Sequence, residues 1–308
     1  MFMKLGIAAA VALGCTLAVP GASFAQGDKD KSAASTAAEP NRVDVEYAPP
    51  KSSAHDALYR LVQELNLLEK TRDLLAPLRL PRRLLLTTTG CDGEVNAWYD
   101  DGVITVCYEY LDWVWQSVPQ QATPDGIAPD GIAPIDALVG PIYQIILHEA
   151  GHAMFDLLNI PIFGNEENDA DQFSAFFLLQ AGKEDARRLI GGAAYQYRSG
   201  VQSANQNITT KRLADVHATM GQRFFNILCL AYGANDELFK DIVANGDLPK
   251  ERAEDCSDEY AHVAYAFNTL IGPHIDRELA AKLHKSWLPP INSQPPHRPA
   301  ALGTKAPR

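Results

Sequence analysis

The chain has 308 residues, 46% of them hydrophobic, and its 38 Asp and Glu against 27 Lys and Arg give a formal net charge of −11. This acidic balance argues against nucleic acid as a partner, because phosphate binding requires clustered Lys and Arg. The length and apolar content suffice for a full hydrophobic core, so we expect one domain, with room for two lobes.

The first 25 residues predict export. Lys4 precedes an apolar run over residues 5–19, and small residues lead up to Ala25, after which a signal peptidase would cut. The run is short for a bilayer span, so we expect a periplasmic or secreted protein with no stable membrane insertion after cleavage. A retained anchor and lipidation at Cys15, where the preceding residues form a poor lipobox, are the alternatives.

Composition then divides the remaining chain into three parts. Residues 26–53 are rich in Lys, Asp, Ser, Ala and Pro with few large apolar side chains, which predicts a disordered linker. Residues 288–308 are rich in Pro and basic, which predicts a flexible tail. Residues 54–287 lie between them and form the predicted domain.

Within that domain, hydrophobic spacing predicts a helix over 54–75 and a strand over 83–89. Residues 95–99 and 103–108 flank Asp100-Asp101-Gly102, which predicts a hairpin. Further helices are predicted at 141–158, 166–180, 183–197, 220–232, 236–244 and 257–270. Pro141 suits the first turn of the first of these helices, and Asn165 suits the N-cap of the second. This order predicts an α+β fold with a small antiparallel sheet and a mostly helical remainder.

Four cysteines remain after the predicted cleavage. An even number in an oxidising compartment favours disulfides, and none of the four has the close CxxC spacing of a structural zinc site. Three pairings are possible, of which proximity favours Cys91–Cys107 and Cys229–Cys256.

The motif His148-Glu149-Ala150-Gly151-His152 lies on the predicted helix 141–158. Side chains at i and i+4 share a helix face, so both imidazoles can bind one ion. A catalytic zinc takes three protein ligands and a water, and Glu149 is suited to remove a proton from that water. We therefore predict one Zn²⁺ per chain, with Glu149 as general base. Two core histidines and a salt-bridged Glu are the alternative, which the apolar surroundings disfavour because buried charges need partners.

The third ligand is predicted in the acidic start of the next helix. Glu167 and Asp171 have i, i+4 spacing there, so that one carboxylate can bind zinc while the other holds a ligand imidazole. The alternative is that these acids only stabilise the N-terminus of the helix through its dipole. Within the segment, Glu166 competes with Glu167 as the ligand.

HEAGH followed by Glu167-Asn-Asp-Ala-Asp171 resembles the gluzincin pattern HExxH…ExxxD. The resemblance implies that Glu167 is the third zinc ligand and that Asp171 supports His148. More narrowly, stretches such as Asn96-Ala-Trp-Tyr99 are similar to a family of exported bacterial metallopeptidases of undefined function, over about residues 54–270. This likeness implies a zincin-like fold, while the substrates of that family are not established. Enzymes of the wider clan hold the substrate backbone along a strand beside the cleft, for which Val103–Cys107 is the candidate, and we expect a peptide or protein substrate.

A peptidase also needs a donor for the oxyanion. His217 is the candidate, with Asp215 to orient it and Arg223 in reserve; a surface histidine is the alternative. The predicted function is a zinc metallopeptidase that hydrolyses peptide bonds. The rivals are a zinc amidase acting on cell-wall peptides, a non-catalytic zinc-binding module and a metal-free scaffold.

Overall fold

The computed structural model describes residues 42–123, 126–128, 131–202, 209–282 and 288–293. These residues form a small sheet joined to a larger set of helices, so the predicted α+β class is confirmed. The strands are β1 (Val43–Tyr47), β2 (Leu84–Thr89), β3 (Ala97–Asp100) and β4 (Val103–Cys107). The predicted signal peptide, Cys15, residues 26–41 of the predicted linker and residues 294–308 of the predicted tail lie outside the described residues.

The sheet is mixed, and the prediction of an antiparallel sheet is wrong. Its strand order is β1-β2-β4-β3, with parallel pairing of β1 to β2 and of β2 to β4, and antiparallel pairing only between β3 and β4. The β3–β4 hairpin agrees with its turn signal, since Asp101 and Gly102 both have positive φ, as a two-residue hairpin turn requires. The parallel pairings join strands that are distant along the chain, so local pattern did not predict them.

β1 lies inside the segment predicted to be a disordered linker, which corrects that prediction for residues 43–47. The alternation Val-Asp-Val-Glu-Tyr has the period of a strand, although its composition is polar on average. Val43 is buried, and the Tyr47 hydroxyl accepts from the Leu68 amide at 2.9 Å and donates to Glu69 at 2.7 Å. These contacts attach the strand to the domain.

The helices before the site differ from the prediction in two places. The predicted helix 54–75 is divided into α1 (Asp56–Glu64) and α2 (Leu67–Leu75), because Asn66 adopts a left-handed conformation with φ 50°. A further helix, α3 (Tyr108–Ser117), begins where the second predicted strand of the hairpin was expected to end.

The helix that carries the HEAGH motif, α4 (Pro134–Leu157), is longer than predicted. Pro134 occupies its first turn, where a missing N–H costs nothing, and Pro141 lies inside the helix, so the prediction of Pro141 as its start is wrong. Most of the helix is buried, and it packs against α5 (Glu166–Leu179) and α6 (Lys183–Gln202). Gly151 allows the close approach of α5, since a Cβ there would lie 3.0 Å from the Ala170 Cα.

The remaining helices are α7 (Thr210–Leu213), α8 (Met220–Ala234), α9 (Asp236–Ala244), α10 (Lys250–Ala253), α11 (Cys256–Leu270) and α12 (Arg277–Ala281). α8 packs against α5, α6 and α11. Both predicted disulfides, Cys91–Cys107 and Cys229–Cys256, are present. Over the described ranges, no helix has the length and apolar character needed to cross a membrane.

Candidate metal centre

Three side-chain atoms from α4 and α5 converge on one point. Nε2 of His148 and Nε2 of His152 lie 3.3 Å apart. Oε2 of Glu167 lies 3.2 Å from the first of these nitrogens and 3.4 Å from the second. A tetrahedral ion with bonds of about 2.0–2.1 Å holds its ligand atoms about 3.3 Å apart. The donor set and its spacing therefore fit a zinc ion.

The outer nitrogen of each of these two histidines is paired with a carboxylate. Nδ1 of His148 lies 2.8 Å from Asp171, and Nδ1 of His152 lies 2.7 Å from Glu166. Such pairs fix the ring orientation and the tautomer, and direct Nε2 inward. Glu166 and Glu167 thus lie side by side with different contacts, Glu167 toward both inner nitrogens and Glu166 toward one outer nitrogen.

Glu167 and the histidines around it shift one another's pKa values. Hydrogen bonds to His148, His152 and His217 hold the pKa of Glu167 well below its usual range. Burial opposes the charged form of His152, but its bonds to Glu167 and Glu166 outweigh that effect and raise its pKa to about 9.

Glu149 lies beside the three converging atoms and is only 6% exposed. Burial raises its pKa, because desolvation disfavours the carboxylate, while the backbone amide of Tyr99 on β3 donates to it. Its side chain lines a cavity of about 210 Å³ together with His148. A carboxylate in that position can accept a proton from a water molecule in the cavity.

The structure brings His217 to the site from the loop between α7 and α8. Its Nε2 lies 3.0 Å from Glu167 Oε2, and its Nδ1 lies 3.1 Å from Asp215. The hydrogen bond to Glu167 is the main cause of a raised pKa for His217. Asp215 and His217 both line the cavity.

Arg223, the reserve candidate for the oxyanion, has a different environment. Its guanidinium is paired with Asp171 and lies over the Tyr197 ring, 4.8 Å from the centroid. Although burial favours the protonated form of Asp171, the charge of Arg223 and the hydrogen bond to His148 lower its pKa. Arg223 therefore supports Asp171, which in turn holds His148.

Sequence reasoning missed the aromatic walls of the cavity. Tyr110 and Trp113 on α3 and Tyr197 on α6 line it, close to Glu149 and Arg223. The apolar spacing of Leu111, Val114 and Trp115 is the sequence signal that predicts α3.

The strand expected to hold a substrate backbone, Val103–Cys107, is not available, so that prediction is wrong. β4 pairs with β2 on one side and β3 on the other, which leaves its backbone no free edge. β3 is the edge strand next to β4, and the cavity is lined by Val95, Asn96 and Ala97, at and just before the start of β3.

An α+β domain with a His, His, Glu cluster beside a buried carboxylate has the features of a metal-dependent hydrolase. A family model described as "Putative metallopeptidase" matches residues 47–271, well over half of the chain, and the chain belongs to that family. No curated protein and no solved structure matches the chain.

Proposed function

We propose that the protein is an exported zinc metallopeptidase with a zincin-like fold. The observation that carries this proposal is the convergence of His148 Nε2, His152 Nε2 and Glu167 Oε2 at 3.2–3.4 Å, with Glu149 beside them. Those three residues would hold the ion. Zinc in such a site supplies Lewis acidity, which polarises a carbonyl oxygen and lowers the pKa of water.

Glu149 is the proposed general base. Its burial raises its pKa above that of an exposed Glu and brings it nearer to neutral pH, where a base is most effective. The carboxylate takes the proton from the attacking water and later delivers it to the leaving amine. The amide of Tyr99 keeps the carboxylate oriented toward the cavity during both transfers.

His217 is the proposed donor for the oxyanion. Asp215 accepts from its Nδ1 and thereby holds the ring at the rim of the cavity, and Nε2 faces the site. A proton on Nε2 can then be donated to the oxygen that becomes negative as the carbonyl is attacked.

The outer edge of β3 is the proposed binding place for the substrate backbone. The Cys107 amide donates to the Asn96 carbonyl at 3.1 Å, so Asn96 faces β4. Because strand residues alternate, Ala97 and Tyr99 direct their backbone groups away from β4. Tyr99 gives its amide to Glu149 on that side, and the Ala97 amide donates to Asn96 Oδ1 at 2.9 Å. The Ala97 carbonyl is therefore the backbone group proposed to pair with an extended peptide.

The test is the variant Glu149→Gln, which keeps the shape of the side chain and removes the base. We expect it to bind one zinc per chain, as measured by elemental analysis, and to lose at least about 10²-fold in peptide turnover. Glu184→Gln is the matched control, since Glu184 is an exposed Glu on α6. Undiminished turnover in the Glu149 variant would refute the mechanism.

Turnover assays and zinc analysis of the same purified protein distinguish the rival functions. Turnover of cell-wall peptides without turnover of ordinary peptides would assign the site to an amidase. Zinc bound with no hydrolysis in a broad substrate panel would assign it to a binding module, and absence of zinc would leave a metal-free scaffold.

A further inference from the structure

Three histidines around Glu167 share one arrangement of contacts. Nδ1 of each is paired with a carboxylate at 2.7–3.1 Å, and Nε2 of each lies 3.0–3.4 Å from the same atom, Glu167 Oε2. The pairs are His148 with Asp171, His152 with Glu166, and His217 with Asp215. A carboxylate on the outer nitrogen is the usual environment of a metal-bound imidazole. His217 therefore has the same surroundings as the two proposed ligands of α4.

We propose that His217 is a fourth protein ligand of the resting metal centre, an inference that rests on the zinc site proposed above. Tetrahedral zinc has four ligands, and His148, His152 and Glu167 supply three. The ligand atoms of His148, Glu167 and His217 all lie within 4.8 Å of one another. Since a tetrahedral ion holds its ligand atoms about 3.3 Å apart, His217 completes the set by moving toward His148 and His152.

The segment that carries His217, residues 209–217, is exposed along its length. α7 contains no buried residue, and Leu213 and Val216 are 71% and 61% exposed. Asn165, the N-cap of α5, donates to the Val216 carbonyl at 2.8 Å and is one of the contacts that attach the segment. A segment with so little buried apolar surface can move away from the site at low cost in free energy.

The two positions of His217 then correspond to two states of the site. With four protein ligands the centre is closed, as in structural zinc sites, and no position is left for water or substrate. When an incoming peptide displaces His217, the fourth position would open, and Nε2, once it has taken a proton from solvent, could donate that proton to the oxyanion. His217 is thus a metal ligand in the resting state and a hydrogen-bond donor to the oxyanion in the open state.

X-ray absorption at the zinc edge tests the assignment on the unaltered full-length protein loaded with one zinc, because scattering from imidazole rings counts the histidine ligands. We expect three imidazoles in the wild type and two in His217→Ala. The variant should also bind zinc at least about tenfold more weakly in chelator competition, since even the loss of a partner to a ligand costs that much. His262→Ala is the matched control, because His262 is an exposed histidine on α11.

Two imidazoles in the wild type would overturn the proposal, and so would a zinc affinity of His217→Ala equal to that of the wild type. Neither result would affect the peptidase proposal, which depends on turnover and on Glu149→Gln. Conversely, zinc held by three imidazoles in a protein that hydrolyses no peptide would refute the peptidase proposal and support the assignment of His217.

Discussion

The crossing of α4 and α6 depends on the absence of a side chain at Gly192. A Cβ built on Gly192 would lie 2.0 Å from the Asp136 carbonyl oxygen and 3.0 Å from the Gly140 Cα. Both are backbone atoms, so no rotamer change relieves the clash, and the helices must separate. We expect Gly192→Ala to cost about 3 kcal/mol through overpacking, offset by about 1 kcal/mol of improved helix propensity.

Gly191 provides a matched control on the same helix. Among the residues that the structure describes, a Cβ there would meet only the Cδ1 atom of Ile132, at the ordinary contact distance of 3.7 Å. Gly191→Ala should therefore stabilise the protein by roughly 0.5–1 kcal/mol. The two substitutions change the unfolded chain alike, so the difference between them, about 3 kcal/mol, measures the helix crossing.

Denaturant unfolding of both variants with the disulfides intact gives the two free energies of unfolding. Because α4 carries His148 and His152, Gly192→Ala should also bind zinc more weakly, whereas Gly191→Ala should bind it normally. Equal stability of the two variants would refute the close approach of the helices.

Two further predictions concern the surroundings of the site. Glu166→Gln should weaken zinc binding by about 10–100-fold in chelator competition, because Glu166 orients His152; Asp169→Asn, an acid in the same helical turn, should bind like the wild type, and equal affinity of the two variants would contradict the assigned contact. Replacing Cys91 and Cys107 together by Ser should lower the free energy of unfolding by about 3 kcal/mol, since the bridge closes a loop with a sequence separation of 16. A loss below about 1 kcal/mol in denaturant unfolding would show that the bridge constrains the unfolded chain far less than its loop length implies.

Those parts of the candidate site that depend on neighbouring turns of one helix could be predicted from the sequence. His148, Glu149 and His152 follow from i, i+4 spacing on an apolar segment, and that pattern needs no knowledge of the fold. The sequence could not decide which of Glu166 and Glu167 is the ligand, because consecutive residues of a first turn differ only in the direction their side chains face. The packing of α5 on α4, which Gly151 permits, decides that direction.

The predictions that failed depend on partners distant in the chain. β1 was missed because its alternating apolar and polar residues are stabilised as a strand only by distant contacts, the packing of Val43 on the domain and the hydrogen bond of Tyr47 to α2. The substrate strand was assigned to β4 because the hairpin was visible in the sequence and the pairing of β4 with β2 was not. α3 was missed because its first residue, Tyr108, continues the strand-like pattern of β4.

The proton inventory of the cluster favours a metal over a network of hydrogen-bonded histidines. Nδ1 of His148 and of His152 each contacts a carboxylate, so each outer nitrogen carries the proton. If both inner nitrogens were also protonated, two cationic rings would direct N–H groups toward each other at 3.3 Å, which is repulsive. If neither were protonated, two nitrogen lone pairs and the Glu167 oxygen would face one another at 3.2–3.4 Å. If only one inner nitrogen were protonated, its N–H would bond one of the other two atoms and leave the third without a donor. A cation at their common centre satisfies all three atoms at once, which makes the metal site a stronger inference than the identity of the bond that is cut.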